Sequence, residues 1–220
     1  MSAVKVALLG AESTGKSTLA HALAAHYAAQ GQRAIAVGEY LREWCAREGR
    51  TPRPEEQLPI AQEQERRVAE AAQSHDIVIA DTTSVMVAVY SAMLFEDSSF
   101  YRFAIDSQRG YALTLLTGLD LPWIADGLFR DGPHVREPVD ALVRSLLVRE
   151  SLPFQVVYGE GKERVSNAVR AIDSIAGDAV PVRLAGTFPS ENPAFTALCE
   201  HCGDAGCEHR LFTSLKKQRG

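Results

Sequence analysis

The sequence predicts an α/β protein, a parallel β-sheet with helices packed on both faces. Three observations predict it. Short apolar runs alternate with helix-periodic segments along residues 4–176. The runs "VKVALL" and "DIVIAD" are nearly continuous in apolar or small residues, as strands covered on both faces are. A glycine-bounded turn, "GAESTGKS" at residues 10–17, joins the first run directly to a helical one.

Residues 4–9 form the first strand, ending at Gly10. From Lys16 to Gln30, Leu19, Leu23 and Tyr27 recur at helical spacing, and Gly31 stops the helix. "RAIAVG" at 33–38 is the second strand, and "EYLREWCARE" at 39–48 is helical up to Gly49. The proline-bearing "RTPRPEEQLP" reads as a loop, and residues 60–73 as a charged helix. Residues 76–81 make the third strand, 83–94 and 99–109 two helices, and 111–117 the fourth strand. Glycines and a proline mark 126–136 as a polar loop. A helix at 138–151, a fifth strand at 154–159 and a helix at 162–176 complete the alternation. Beyond that the periodicity fails and three prolines lead into a cysteine cluster. The chain therefore divides into a domain at 1–177 and a C-terminal extension at 178–220, packed on the domain or tethered to it.

An apolar content of 46% supplies a core, and a charged share of 23% is ordinary for a soluble domain. A net charge of −5 and a pI near 5.7 leave no footprint for a polyanion, so no nucleic-acid partner is expected. The N-terminal apolar run is too short for a signal peptide and flows into the glycine turn. No stretch approaches the roughly 18 apolar residues of a membrane span, so neither a membrane partner nor an address outside the cytoplasm is expected. A homo-oligomer is compatible with this composition.

Residues Gly10, Ala11, Glu12, Ser13, Thr14, Gly15, Lys16 and Ser17 match G-x-x-x-x-G-K-S, the phosphate-loop pattern, in the strand–turn–helix context it requires. A polyphosphate is held by backbone N–H groups converging on it, and glycines allow that crowded path. The helix that follows adds unpaired N–H groups and a partial positive charge. Lys16 can bridge the β- and γ-phosphates, Ser17 can ligate Mg²⁺, and Thr18 falls near the α-phosphate. ATP and Mg²⁺ are the expected cofactors. The base-reading Asn/Thr-Lys-x-Asp motif of switch GTPases is absent, and the chain is short for a motor ATPase. A small kinase needs an acceptor site, a magnesium-side carboxylate and a lid, and the sequence offers candidates for each.

Glu39 follows the second strand in "VGEYLREW", where a carboxylate can accept a proton from an attacking hydroxyl. It equally suits a helix N-terminus. Tyr40, Arg42 and Trp44 nearby offer stacking and charge, although Trp44 also suits the core. Asp81 ends the third strand, at the position where a carboxylate holds magnesium through water. The two roles can be exchanged between Asp81 and Glu39, and Asp81 could instead cap the next helix. Arg130 and Arg136 fall in the breaker-rich loop, where a lid would bring arginine to the transferring group. Both also read as ordinary solvated arginines.

"GAESTGKSTL", "VGEYLREW", "IADTT" and "LPWIADGLFRDG", in that order, resemble the nicotinamide riboside kinase domain of bacterial NAD-biosynthesis regulators. They also resemble its standalone relatives labelled AAA-type ATPases. The resemblance runs to about residue 176. It implies a P-loop kinase fold with sheet order 2-3-1-4-5, and transfer of the ATP γ-phosphate to the 5′-hydroxyl of a ribosyl substrate. It gives Glu39, Asp81 and the lid arginines the acceptor, magnesium and lid positions. Trp123, which opens the W-x-x-D-G motif, joins Glu39, Tyr40, Arg42 and Asp81 in the implied substrate site. Against the family pattern, no fused DNA-binding or adenylyltransferase domain is expected, and the sequence shows an extra residue in the lid and a cysteine-rich tail. Kinases of other nucleosides, and an ATPase switch whose tail binds a partner, remain alternative readings.

The tail carries "CEHCGDAGCEHR" at residues 199–210. Cys199 and Cys202 have the spacing of a zinc-binding pair, and Cys207 with His209 would complete a tetrahedral, structural Zn²⁺ site. His201 and Cys45 are alternative fourth ligands, and transient metal or redox chemistry, or reduced thiols without metal, are the other readings.

Overall fold

The computed structural model describes residues 3–124 and 132–177. Arg130 and the proposed zinc ligands Cys199, Cys202, Cys207 and His209 lie outside the described residues.

Among the described residues five strands form one parallel sheet: β1 (Val4–Leu9), β2 (Ala34–Val37), β3 (Ile77–Asp81), β4 (Leu113–Thr117) and β5 (Gln155–Val157). Their order is β2-β3-β1-β4-β5, as the family resemblance implied. The central strand is β1, with Val6 facing Ile79 on one side and Leu113 on the other. Among the described residues seven α-helices accompany it: α1 (Lys16–Ala29), α2 (Tyr40–Glu48), α3 (Pro54–Ala71), α4 (Ser84–Phe95), α5 (Tyr101–Gln108), α6 (Arg136–Arg149) and α7 (Gly161–Gly177).

Both faces of the sheet are covered, which is why its strands do not alternate in polarity. On one face Val6, Leu8, Ile79 and Leu115 pack with Leu19 and Leu23 of α1 and Ile172 of α7. On the other, Leu9 and Leu116 pack with Val85 and Val89 of α4 and Val143 and Leu147 of α6. All five residues of β3 and of β4 are buried. The carboxyl ends of β1 and β3 are therefore held in fixed register, with Leu8 opposite Asp81.

Two expectations are corrected. The stretch expected as a loop at 50–59 is helical from Pro54 onward. Proline at the first helical position lacks only an N–H that would be unpaired there, and its fixed φ suits the helix. Glu55 and Glu56 complement the helix dipole, and the Glu56 carboxylate accepts from the Arg53 N–H at 2.7 Å. Pro59, the sixth residue, lies past the first turn and removes one backbone hydrogen bond, a loss offset by burial of Ile60, Ala61 and Val68 on the same helix. Arg136, expected in a lid loop, is the first residue of α6 and is buried. Its Nη2 donates to the Leu119 carbonyl at 3.3 Å, which holds the guanidinium against the chain leaving β4.

Candidate active site

The turn after β1 is built around backbone that only particular residues allow. Gly10 has φ of +143° and Gly15 of +77°, and Ser13 is also left-handed at +54°. A Cβ on Gly10 would lie 2.1 Å from the Thr117 hydroxyl oxygen, so no side chain fits there. That hydroxyl donates to the Leu9 carbonyl at 3.1 Å and stands 2.7 Å from the Thr14 hydroxyl, which reaches the Ala11 carbonyl at 2.8 Å. The loop is thereby fastened to the end of β4. Lys16 curls over it, its ammonium donating to the carbonyls of Gly10 at 2.9 Å and Ala11 at 2.7 Å. The start of α1 has no side-chain cap and no acidic residue in its first turn, an arrangement that suits an anion.

Two further clamps shape this end. Ser13 Oγ lies 2.8 Å from the Ile124 N–H and 3.2 Å from its carbonyl, tying the loop to the segment at 121–124. Arg164, only 4% exposed, donates to the carbonyls of Thr14 at 2.9 Å and Gly159 at 2.8 Å, and pairs with Asp120 at 3.1 Å. Burial acts to raise the Asp120 pKa, but the Gly159 N–H and the Arg164 guanidinium outweigh it and hold the carboxyl below its ordinary value. The turn before α7 is thus locked onto the glycine loop.

From this loop a continuous cleft of about 1200 Å³ extends over the carboxyl ends of the strands. Pockets for one drug-sized ligand run to roughly 300–1,000 Å³, so the cleft has room for a nucleotide and a second small molecule. Residues 12–18 line one end, with Leu121, Pro122, Gly161 and Arg164. The other end is lined by Glu39, Leu41, Arg42 and Cys45 from the start of α2 and its approach, Gln57 of α3, Thr82, and Met86 and Tyr90 of α4. Glu39 stands at the N-cap of α2, its side chain 17% exposed, with Arg42 at 3.5 Å. Cys45 has its pKa raised, first by burial and then by the nearby Glu39 charge.

Asp81 is 4% exposed and does not reach the cleft lining. Its Oδ1 is buried with no hydrogen-bond partner among the described residues. Thr82, directly after it, is left-handed at φ +68° with its N–H on the Leu8 carbonyl at 3.1 Å. A strained non-glycine residue at a strand end is a common mark of a functional site.

The structure brings Gly10, Glu12 to Thr18, Glu39 and Arg42 to one cleft and leaves other expected residues beside it. Ala11, buried, supplies its carbonyl to Lys16. Tyr40 turns toward α3, where its N–H meets Gln64 at 2.7 Å and Arg67 stacks on its ring. Trp123 is half-buried, outside the lining, its Nε1 without a partner among the described residues. Sequence reasoning missed Gln57, Thr82 and Arg164. Gln57 lay in a stretch read as loop, and Arg164 among the polar residues of a helix read only by period. Thr82 had a signal, its place immediately after a strand-end aspartate.

The fold and this loop define a P-loop protein with the kinase-type sheet order. A family model described as an AAA domain matches residues 5–164, and the chain belongs to that family. The fold is shared with a NadR protein in complex with NR, 19% identical over 80% of this chain and 51% of that one, TM-score 0.66. It is also shared with a NadR protein in complex with NAD and AMP-PNP, 20% identical over 80% of this chain and 50% of that one, TM-score 0.64. The chain thus spans about half the length of these NadR chains. Thymidylate kinase from Ehrlichia chaffeensis is 12% identical over 80% of this chain and all of its own, with TM-score 0.55. No curated protein sequence matches the chain. The resemblance expected from the sequence is therefore met in family and fold. Among the described residues no helix is long and apolar enough to cross a membrane.

Proposed function

We propose that the protein is an ATP-dependent nucleoside kinase that phosphorylates a ribosyl 5′-hydroxyl, with nicotinamide riboside its first candidate acceptor. The observation that carries this reading is the continuity of the cleft, from a phosphate loop at one end to Glu39 and Arg42 at the other. A hydrolase needs room for ATP and water; this cleft is larger than that and carries a further carboxylate, Glu39, in its lining. The expected resemblance, and the NadR neighbours in complex with NR and with AMP-PNP, support the acceptor and the donor.

In this reading the loop N–H groups and Lys16 hold the β- and γ-phosphates. Releasing the Gly10 and Ala11 carbonyls turns the Lys16 ammonium toward them. Glu39 orients the acceptor hydroxyl and takes its proton as the oxygen attacks the γ-phosphorus. The bond from that phosphorus to the bridging oxygen breaks, giving ADP and the 5′-phosphate. The Ser17 hydroxyl and the unsatisfied Oδ1 of Asp81 fit a hard divalent cation's preference for oxygen. When bound, Mg²⁺ neutralises triphosphate charge. Arg130 is proposed as the lid arginine. Zinc at Cys199, Cys202, Cys207 and His209 rests on ligand spacing, and metal analysis of chelator-free protein tests it.

The test of the function is an acceptor panel with ATP and Mg²⁺, including nicotinamide riboside, followed by ADP release and product mass. Acceptor-dependent ADP with a mass gain of one phosphoryl group on a nucleoside supports it. ATP consumption that no acceptor stimulates refutes it.

A further inference from the structure

Two buried glutamines share the inward face of α3, seven residues apart, and differ in one respect. Gln64 is 2% exposed and fully engaged: its carbonyl accepts the Tyr40 N–H at 2.7 Å and its amide reaches the Thr82 carbonyl at 3.4 Å. Gln57 is equally buried at 2%, yet its Oε1 has no hydrogen-bond partner among the described residues. Gln57 also lines the cleft, as Glu39 does, whereas Gln64 does not. Its companions in that lining include Leu41, Cys45, Met86 and Tyr90 beside Thr51 and Thr82, so the amide stands on a largely apolar wall. A buried carbonyl without a donor is unfavourable, and an apolar side chain of the same shape would stand there without that penalty.

We infer that Gln57 is the specificity residue of the acceptor site, its carbonyl accepting a hydrogen bond from an N–H group on a planar heterocycle. This rests on the nucleoside-kinase reading and narrows it to nucleosides whose base carries a carboxamide or amino group. The apolar wall takes the ring faces, Glu39 and Arg42 sit at the sugar, and Gln57 reads the ring's polar edge. A nucleoside lacking that donor leaves the amide unsatisfied in the complex, and sites of this kind discriminate by at least one hydrogen bond's worth, about tenfold.

The experiment compares the best nucleoside substrate with its analogue lacking the carboxamide or amino group, in wild type and in Gln57→Met. Wild type should prefer the donor-bearing nucleoside by about tenfold or more in kcat/KM. Gln57→Met should bring the two within about twofold, chiefly by raising KM for the donor-bearing one, with KM for ATP unchanged. Its melting temperature should equal or exceed that of wild type, since an unpaired buried amide is removed. An unchanged preference in folded Gln57→Met, or in Gln57→Leu if the methionine variant aggregates, overturns the assignment while leaving the kinase intact. Failure of both variants to fold overturns it by showing the amide to be structural. A wild-type enzyme that phosphorylates no nucleoside overturns the kinase reading itself, and this assignment with it.

Discussion

Replacing Gly10 by alanine tests the architecture of the phosphate loop directly. The new methyl group would lie 2.1 Å from the Thr117 hydroxyl oxygen and 3.1 Å from the Thr117 carbonyl. The hydroxyl can move only by giving up its contacts with Leu9 and Thr14. Two buried hydrogen bonds contribute about 1 kcal/mol each. Alanine at a φ of +143° adds about 1–2 kcal/mol of backbone strain, which glycine escapes. The expected destabilisation is thus about 3–4 kcal/mol, on the order of 10 °C in melting temperature for a chain of this size.

That figure contains a claim about cause, which a double-mutant cycle isolates. Thr117→Ala removes the clashing oxygen and itself costs about 1–2 kcal/mol in lost hydrogen bonds. In that background Gly10→Ala should add only the strain term and a tight approach to the Thr117 carbonyl. The two substitutions should therefore fall short of additivity by about 2 kcal/mol. Denaturant unfolding of the four proteins measures the cycle. A parallel titration with ATP and Mg²⁺ should show less stabilisation of Gly10→Ala than of wild type. Additivity within about 0.5 kcal/mol would show that the glycine is not there to make room for Thr117.

Lys16→Ala should lower kcat by about 100-fold or more, the usual effect of losing one positioned charge-stabilising donor. Its fold should survive, because the two carbonyls it releases can be hydrated; loss of folding would make the lysine structural. Asp81→Asn should keep a melting temperature within a few degrees of wild type while raising the Mg²⁺ concentration for half-maximal rate about tenfold; an unchanged Mg²⁺ profile would place the metal elsewhere. Asp120 has a depressed folded pKa, so its pairing with Arg164 stabilises the fold above the unfolded carboxylate value, about 4. That contribution is lost as pH falls through the lower folded value. Thermal unfolding across that acid range should show a shallower pH slope for Asp120→Asn than for wild type; equal slopes would mean the pair does not couple to stability.

The parts of this molecule legible in the sequence are those where local chemistry and tertiary demand agree. Strand β1 was readable residue for residue because an apolar run ends on a glycine that has no substitute. The "DIVIAD" run lost only its first aspartate, whose carboxylate pairs with Arg33 at the exposed amino-terminal edge of the sheet. What escaped was the start of α3, residues 54–59, where two prolines suggested a loop. The first opens the helix, and the second is carried by packing of Ile60, Ala61 and Val68 against the rest of the protein. Propensity is a weak prior against such burial. That misreading hid more than the start of the helix. Its inward face carries Gln64, which braces the backbone at Tyr40 and Thr82, and Gln57, which faces the cleft. A glutamine in a presumed loop signals nothing, whereas a buried one with an unsatisfied carbonyl demands a partner. The chemistry of the phosphate end is written in a contiguous motif, because one turn must hold one rigid anion. The acceptor end is assembled from α2, α3, α4 and the turn after β3, so its specificity emerges only once those elements are packed together.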